Sequence, residues 1–251
     1  MLQTDNLQEI IKILKEIESL EKFLKLFESY SADIKQILTK SLTDDELNRD
    51  DLYRLMATHE DELPALLAAA NLQKIRFRDR KMTFSKKVFI PLTHLCRNKC
   101  GYCEYRKDIS RKDSCFLTIQ NVLNIAEEGK KKGCTEALFT LGEKPELKYR
   151  QAEKELRKLG YSTTIEYLRD LCEIVYTKTG LLPHSNPGIL TREEVATLRE
   201  VNASLGLMLE NISKRLSGKD QPHRFSKGKN PNLRIATIQY AGELNVAFTS
   251  G

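Results

Sequence analysis

The chain has 251 residues, of which 40% are hydrophobic, and a formal net charge of +6 at pH 7. This length supports a sizeable core and exceeds that of a single small module, so we expect one large domain with an accessory segment. The six cysteines do not form the dense pattern of a small secreted disulfide scaffold, and a reduced, cytoplasmic protein is predicted. Because the sequence has no membrane-length apolar run and no signal-like start, we expect no membrane contact.

A positive net charge is common among proteins that bind nucleic acid, so such a partner has to be considered. Here 41 basic residues are mixed with 35 acidic ones, and Lys130, Lys131 and Lys132 lie at a predicted helix end, where cations favour the helix dipole. The basic residues do not form arginine-rich clusters with interleaved aromatic residues. We therefore interpret the charge as a solvated face and expect no nucleic-acid partner.

Residues 1–82 are predicted to form a helical segment. From Leu7 to about Leu38, apolar residues recur at three- and four-residue steps among Lys and Glu, which indicates an amphipathic helix or helix pair. Thr43–Glu46 has the spacing of a capping box and predicts the start of another helix. A third apolar stripe consists of Leu63, Leu66, Leu67 and Ala70. Core packing is the favoured interpretation of these stripes, and no catalytic role is assigned to the segment.

Residues 83–251 form the second predicted segment, in which short β-type runs alternate with helical stretches. The β-type runs are residues 88–92, 136–141, 181–184, 204–209 and 245–249. The helical stretches lie near residues 118–131, 164–177, 191–200 and 232–243. This alternation predicts parallel β/α units, arranged either as a barrel or part of one, or as an open doubly wound sheet.

Polar and glycine-rich residues follow every predicted strand, and this distribution favours the barrel. Barrel enzymes build their active sites from the carboxyl ends of several strands, whereas a doubly wound sheet concentrates its site near one switch point. The predicted fold class is therefore α/β, a partial (β/α) barrel with about five strands, preceded by the helical segment. The sequence stops directly after the fifth predicted strand, so we expect a barrel that is incomplete at its carboxyl end and has an exposed strand edge.

Cys96, Cys100 and Cys103 follow the first predicted strand with C-x3-C-x2-C spacing and supply three thiolates from one loop. A four-iron cluster takes four ligands, so three thiolates leave one iron open to a substrate or cofactor. The alternative is a zinc site with His94 as the fourth ligand, although zinc loops usually pair two separated knuckles and no second knuckle follows. The spacing, Tyr102 and the hydrophobic strand upstream together resemble the radical S-adenosylmethionine (SAM) superfamily.

The strand-end motifs narrow this resemblance to one family. Residues 88–96, 100–103, 136–146 and 182–188 closely resemble the subunit 1 family of 7,8-didemethyl-8-hydroxy-5-deazariboflavin (FO) synthase, and residues 206–211, 221–224 and 241–243 extend the match. The resemblance covers residues 85–251. It implies a radical SAM core with a 4Fe–4S cluster and SAM as cofactors. The reaction that it implies closes the tricyclic ring of a deazaflavin and releases ammonia, methionine and 5'-deoxyadenosine. It also implies a second FO synthase subunit that supplies the substrate and a donor that reduces the cluster.

The family resemblance implies roles for individual residues. Cys96, Cys100 and Cys103 would bind the cluster as thiolates. The positive charges of Arg97 and Lys99 would favour the thiolate form. Simple solvation at the surface is the alternative interpretation of these two cations. The candidates for binding SAM are Tyr102 beside the adenine, Gly142, Glu143 as acceptor of the amino group, Ser185 and Glu210. The candidates for binding the substrate are His184, Asn186 and Asn211.

Some of these residues have a simpler interpretation. The motif at residues 141–143 reads Leu-Gly-Glu where the superfamily has Gly-Gly-Glu. Asn186 precedes Pro187 and could equally be a residue that favours a turn. His223 and His59 belong to no constellation and are interpreted as surface or packing residues. Two other functions stay open: a radical SAM enzyme of another cofactor pathway, similar to biotin synthase or to menaquinone-pathway enzymes, and a basic zinc-binding adaptor.

Overall fold

The structure, a computed structural model, describes residues 19–28, 30–78, 81–108 and 115–250. The chain divides between Thr83 and Phe84 into two compact units. The predicted helical turns from Leu7 to residue 18 lie outside the described residues. Within the described ranges, no helix is both long enough and apolar enough to cross a membrane.

The described part of the first unit is helical, as predicted. Its helices are α1 (Leu20–Leu26), α2 (Ala32–Leu42), α3 (Arg49–Met56) and α4 (Leu63–Arg78). Their buried cluster consists of Phe23, Phe27, Ile34, Leu38, Ala65, Ala68 and Ala69. The buried face of α4 differs from the predicted leucine stripe, because Leu67 and Ala70 are exposed. Helix separation depends on the side chains at the contact, so the alanines let α4 pack closely.

The capping box predicted at Thr43–Glu46 was wrong. The Thr43 hydroxyl instead donates to the Thr39 carbonyl at 3.0 Å and caps the end of α2, and Asp44 follows with a left-handed φ of 65°. Helix α3 begins at Arg49 with Asn48 as its N-cap, in a capping box with Asp51. Because α3 begins six residues after Thr43, its first N–H groups are capped by Asn48 and not by this threonine.

The described part of the second unit contains five strands, five α-helices and three short 3₁₀ helices (Pro145–Leu147, Lys214–Ser217 and Lys227–Lys229). The strands are β1 (Lys87–Thr93), β2 (Glu136–Leu141), β3 (Leu182–Asn186), β4 (Ser204–Leu207) and β5 (Phe248–Ser250), and the helices are α5 (Ile119–Lys131), α6 (Arg150–Lys158), α7 (Thr164–Thr179), α8 (Arg192–Arg199) and α9 (Pro231–Glu243). The strands lie in one sheet in chain order, and every neighbouring pair is parallel. This confirms the predicted α/β fold with a partial (β/α) barrel.

Successive residues of each strand point to opposite faces of the sheet. One face packs on the helices and includes the fully buried side chains of Ile90, Phe139 and Leu205. On the other face, the concave side of the partial barrel, Phe89 is 50% exposed. The carboxyl ends of the parallel strands all lie at one edge of the sheet, which is where the candidate site forms.

Threonine N-caps set the starts of α5, α7 and α8. The hydroxyl oxygens of Thr118, Thr163 and Thr191 accept hydrogen bonds from the N–H groups three residues later, at 3.1 to 3.2 Å. These bonds satisfy N–H groups that lack a partner within the helix. Helix α7 ends at Gly180, whose φ of 70° suits a residue without a Cβ. The predicted starts of these helices lie within one residue of the observed ones.

Candidate active site

The cysteine loop, residues 96–103, follows β1 at the carboxyl edge of the sheet. Leu95 N–H donates to Thr93 Oγ1 at 3.1 Å, and the Thr93 hydroxyl donates to the Cys115 carbonyl at 2.6 Å, so the start of the loop is fixed from both sides. Beside the loop lies an open cleft of about 190 Å³. Seven of the predicted site residues line it: Cys96, Cys100, Cys103, Gly142, Glu143, Asn186 and Glu210.

The far side of the cysteine loop is held by the connection between β4 and α9. Lys99 N–H donates to the Phe225 carbonyl at 3.1 Å, and Gly101 N–H donates to the Pro222 carbonyl at 2.8 Å. Residues 99 and 225 form an antiparallel bridge. We call residues 221–229 the clamp segment, because it fixes the cysteine loop on both sides of Cys100.

The donor set of the loop fits an iron–sulfur cluster. Three thiols line one cleft, yet among the described residues no three His, Cys, Asp or Glu side chains converge closely enough to hold a single metal ion. Thiolates that bind different irons of one cluster do not need to meet at a single point. His94, the ligand of the zinc alternative, places Nδ1 at 3.0 Å from the Tyr105 carbonyl. Burial raises the pKa of the Cys96 thiol, so binding iron would also release its proton.

Gly142 lets the end of β2 approach the cysteine loop. A Cβ at this position would lie 1.9 Å from the carbonyl oxygen of Leu95, so no other residue fits without moving the backbone. Gly142 N–H donates to the Thr93 carbonyl at 2.9 Å, and Glu143 N–H donates to Cys96 Sγ at 3.2 Å. The Leu-Gly-Glu motif is therefore bonded directly to the first cysteine.

Glu143 is buried, at 5% exposure, and its carboxylate is paired. Arg97 donates to Oε1 from Nε at 2.8 Å and from a terminal nitrogen at 2.7 Å. Oε2 accepts a hydrogen bond from Ile189 N–H at 3.3 Å and lies 3.9 Å from the Arg234 guanidinium. Arg97 is thus paired with Glu143, and the alternative that Arg97 is merely solvated was wrong.

Asn186 and Glu210 complete the predicted part of the cleft lining. The side-chain oxygen of Asn186 is buried and has no hydrogen-bond partner among the described residues. A buried acceptor of this kind costs free energy unless a ligand or water satisfies it, so Asn186 is not explained by turn chemistry alone. Glu210 has a left-handed φ of 66°, and its carboxylate accepts a hydrogen bond from Lys229 Nζ at 2.7 Å.

Four predicted residues do not line the cleft. Ser185 lies on the helix-facing side of β3, where its hydroxyl donates to Asn202 Oδ1 at 2.7 Å, so its cofactor assignment was wrong. Asn211 accepts a hydrogen bond from Ser213 N–H at 2.7 Å within a turn. His184 lies deeper on the concave face, with Nδ1 at 2.6 Å from Ser204 Oγ, and burial lowers its pKa.

Tyr102, the fourth of these residues, is half-exposed and pairs with His223. Its hydroxyl lies 2.8 Å from His223 Nε2, and the two rings meet edge to face. Burial of the hydroxyl raises the pKa of Tyr102. His223 is 4% exposed and belongs to the clamp segment, so it is not a surface histidine as one interpretation had it.

Sequence reasoning missed several residues that line the cleft, among them Asn98, Lys229 and Arg234. Arg234 is buried in α9, where it donates to the Met208 carbonyl at 2.9 Å and to the Gly228 carbonyl at 2.8 Å. Burial lowers its pKa. The available signal was an arginine in a helix whose other charged residue is the terminal Glu243, because a buried arginine is rare unless it is paired.

The fold and the cysteine loop agree with the comparisons with known proteins. Residues 90–251 match the family model described as the Radical SAM superfamily, and the chain belongs to that superfamily. Two solved structures share the fold: the FeFe-hydrogenase maturase HydG from Carboxydothermus hydrogenoformans (TM-score 0.69, 20% identity, 97% of this chain and 53% of that one) and methylornithine synthase PylB (TM-score 0.61, 19% identity, 86% and 58%).

Sequence relatives point to one branch of the superfamily. The chain is 48% identical over 170 residues to the 7,8-didemethyl-8-hydroxy-5-deazariboflavin synthase of Methanopyrus kandleri, covering 68% of this chain and 51% of that protein. It is 46% identical over 175 residues to the synthase of the same name from Methanocaldococcus jannaschii (70% and 47%), and 37% identical over 233 residues to the FO synthase of Mycobacterium leprae (87% and 27%). The chain thus spans about half the length of the first two relatives.

Proposed function

We propose that the chain is a radical SAM lyase of deazaflavin biosynthesis. The reaction cyclises 5-amino-5-(4-hydroxybenzyl)-6-(D-ribitylimino)-5,6-dihydrouracil to 7,8-didemethyl-8-hydroxy-5-deazariboflavin and releases ammonia, methionine and 5'-deoxyadenosine. The observation that carries the proposal is the 48% identity over 170 residues to a synthase of this name. The three cysteines that line the cleft support it.

Cys96, Cys100 and Cys103 would hold a 4Fe–4S cluster in this proposal, with one iron left for SAM. When bound, the cluster and SAM supply one-electron chemistry that side chains cannot perform. The hydrogen bond from Glu143 N–H to Cys96 Sγ would stabilise that thiolate. The clamp segment would keep the loop closed on its outer side.

The charged groups of the cleft suit the zwitterionic end of SAM. Among the described residues, Glu143 Oε2 accepts a single, long hydrogen bond, from Ile189 N–H at 3.3 Å, so this oxygen retains acceptor capacity for an amino group. Arg234 and Lys229 supply positive charge for a carboxylate. The Asn186 oxygen is an acceptor for a hydroxyl or N–H donor of a ligand.

The proposal includes two partners. A second FO synthase subunit, the 5-amino-6-(D-ribitylamino)uracil–L-tyrosine 4-hydroxyphenyl transferase, supplies the substrate, and a reducing electron donor activates the cluster. A reducing cytoplasmic setting is part of the proposal, because the six cysteines are all free thiols and an exposed cluster is sensitive to oxidation.

The proposal is tested by reconstituting the chain with iron and sulfide under anaerobic conditions and adding SAM, a reductant and the hydroxybenzyl–uracil adduct. We expect 5'-deoxyadenosine, methionine and a product with deazaflavin fluorescence. Cleavage of SAM without that fluorescence would favour a radical SAM enzyme with another substrate. A colourless protein that contains one zinc and no sulfide would overturn the proposal and favour the zinc-binding adaptor.

A further inference from the structure

Lys144 follows Glu143 at the carboxyl end of β2 and has a left-handed backbone, with φ 39° and ψ 58°. A lysine in this conformation is uncommon, because its Cβ is crowded when φ is positive, and the following Pro145 restricts it further. Such backbone outliers persist only where the surrounding structure holds them, and they cluster at functional sites. The side chain of Lys144 makes the contact that holds it in place.

Lys144 Nζ donates to both carboxylate oxygens of Glu194, at 2.7 and 2.6 Å, and the two side chains are only 12% and 23% exposed. Glu194 is itself fixed in the first turn of α8. Its carboxylate accepts a hydrogen bond from Thr191 N–H at 2.8 Å, and its own N–H donates to Thr191 Oγ1 at 3.2 Å. The ion pair therefore ties the residue after Glu143 to the capped end of a helix.

We propose that Lys144 is a positioning residue, which through its ion pair with Glu194 holds Glu143 against the cysteine loop and so sets the affinity of the cleft for SAM. This inference rests on the proposed function. The Glu143 carbonyl accepts a hydrogen bond from Arg97 N–H at 3.0 Å, and the Glu143 N–H donates to Cys96 Sγ. Because the Glu143 carbonyl belongs to the planar peptide that joins it to Lys144, a change in the backbone of Lys144 moves this contact directly.

The test uses the full chain reconstituted with iron and sulfide. SAM binding is measured by calorimetry and by the change that SAM causes in the paramagnetic resonance spectrum of the reduced cluster. We expect Lys144→Met and Glu194→Gln to keep the wild-type iron and sulfide content and to bind SAM about tenfold more weakly. Lys144→Arg keeps the charge and should restore the affinity to within about threefold of wild type.

Lys87→Met is the matched control. Lys87 pairs with Glu136 at 2.9 Å, with 31% and 23% exposure, at the opposite, amino end of β1 and β2. This control should bind SAM as the wild type does. Wild-type affinity in Lys144→Met, or an equal loss in Lys87→Met, overturns the positioning role while the proposed function stands. A wild-type chain that binds neither iron nor SAM overturns the proposed function and this inference with it.

Discussion

Gly228 of the clamp segment is fixed on both sides of its backbone and faces the buried carboxylate of the cleft. Its N–H donates to Asn98 Oδ1 at 2.9 Å, and its carbonyl accepts a hydrogen bond from Arg234 at 2.8 Å. A Cβ on Gly228 would lie 1.9 Å from Glu143 Oε1. Since the backbone cannot move without breaking these bonds, a side chain here would displace Glu143.

We therefore expect Gly228→Ala to weaken SAM binding about tenfold or more and to lower the free energy of unfolding by about 1–3 kcal/mol, as overpacking does. Calorimetry and denaturant unfolding measure the two effects. Gly242→Ala is the control, because a Cβ on that α9 residue meets nothing within 4 Å. It should leave binding unchanged, and equal behaviour of the two variants would show that Gly228 is not constrained by Glu143.

The second prediction at the scale of single residues separates the ligand cysteines from the buried ones. Cys100→Ala removes one thiolate of the cleft and should abolish cluster assembly and SAM cleavage. Cys134→Ala removes a buried thiol that does not line the cleft and should leave both largely intact. Iron and sulfide analysis after anaerobic reconstitution measures the difference. An equal loss in both variants would mean that the ligands are misassigned.

Among the elements, sequence reasoning succeeded where a local signal sets a boundary. The helical stretches predicted near residues 118–131, 164–177 and 191–200 begin within one residue of α5, α7 and α8, whose starts the threonine N-caps set, and the predicted β-type runs overlap the five strands. Helix α6 was missed because only Ala152 and Leu156 of its nine residues are buried, so it carries almost no apolar stripe. The capping box at Thr43 was misassigned because the same residue type also ends helices by donating to their carbonyls.

The run His184, Ser185 and Asn186 on β3 illustrates which site residues the sequence could predict. Side chains alternate along a strand, so Ser185 must face away from its two neighbours. Applying this period of two would have removed Ser185 from the candidates and kept the other two on the concave face. The contacts of Arg234 and Asn98, in contrast, depend on how loops pack together, which no local pattern encodes.

Arg54 on α3 makes the stability of the first unit depend on pH. It donates to Asp33 Oδ2 at 2.6 Å and to Glu62 Oε1 at 2.8 Å. The hydrogen bond from Arg54 lowers the pKa of Asp33 from 3.8 to about 2, and the pKa of Glu62 is lowered by the Ser31 hydroxyl and by Arg54. A carboxyl whose pKa is lowered in the folded state stabilises it above the unfolded pKa, and that contribution is lost as the pH falls through the folded value.

We expect amide protection of α2 and α3, corrected for intrinsic exchange rates, to fall from about pH 4 towards pH 2 in the wild-type chain. Arg54→Met should lose amide protection mainly above pH 4, so its profile of protection against pH should be flatter than that of the wild type. Because Asp33 is exposed, salt should reduce the difference in protection between the two proteins. Arg49→Met, on the same helix, is the control. Identical profiles for wild type and Arg54→Met would contradict the assignment.

At the scale of the whole molecule, the cysteine loop depends on residues far away in the sequence. The bond between Gly228 and Asn98 spans 130 residues, and that between Lys99 N–H and Ser226 Oγ spans 127. Such contacts explain why the sequence indicated the three cysteines that line the cleft but not the clamp segment that is bonded to their loop. If the cluster binds only when the cysteine loop is bonded to the clamp segment, its binding should stabilise the loop and the clamp segment together.

Hydrogen exchange of the chain with and without its cluster measures this coupling. We expect loading with iron and sulfide to increase protection in residues 96–103 and equally in the clamp segment, while α5 changes little. Protection confined to the cysteine loop would show that the two parts are independent. The Cys100→Ala variant, treated in the same way, should show no increase in either.

The strand order has a consequence for how the second unit folds. Each strand pairs with the next one along the chain, so the sheet can grow by short-range steps as the polypeptide emerges. The cysteine loop belongs to the first β/α unit, yet its closing bonds wait for residues that follow the fourth strand. Closing so long a loop carries the larger entropic cost. We therefore expect the cysteine loop to be translated early and locked late, so that during synthesis its thiols stay accessible to iron and to oxidants until the clamp segment has been made and has packed against them.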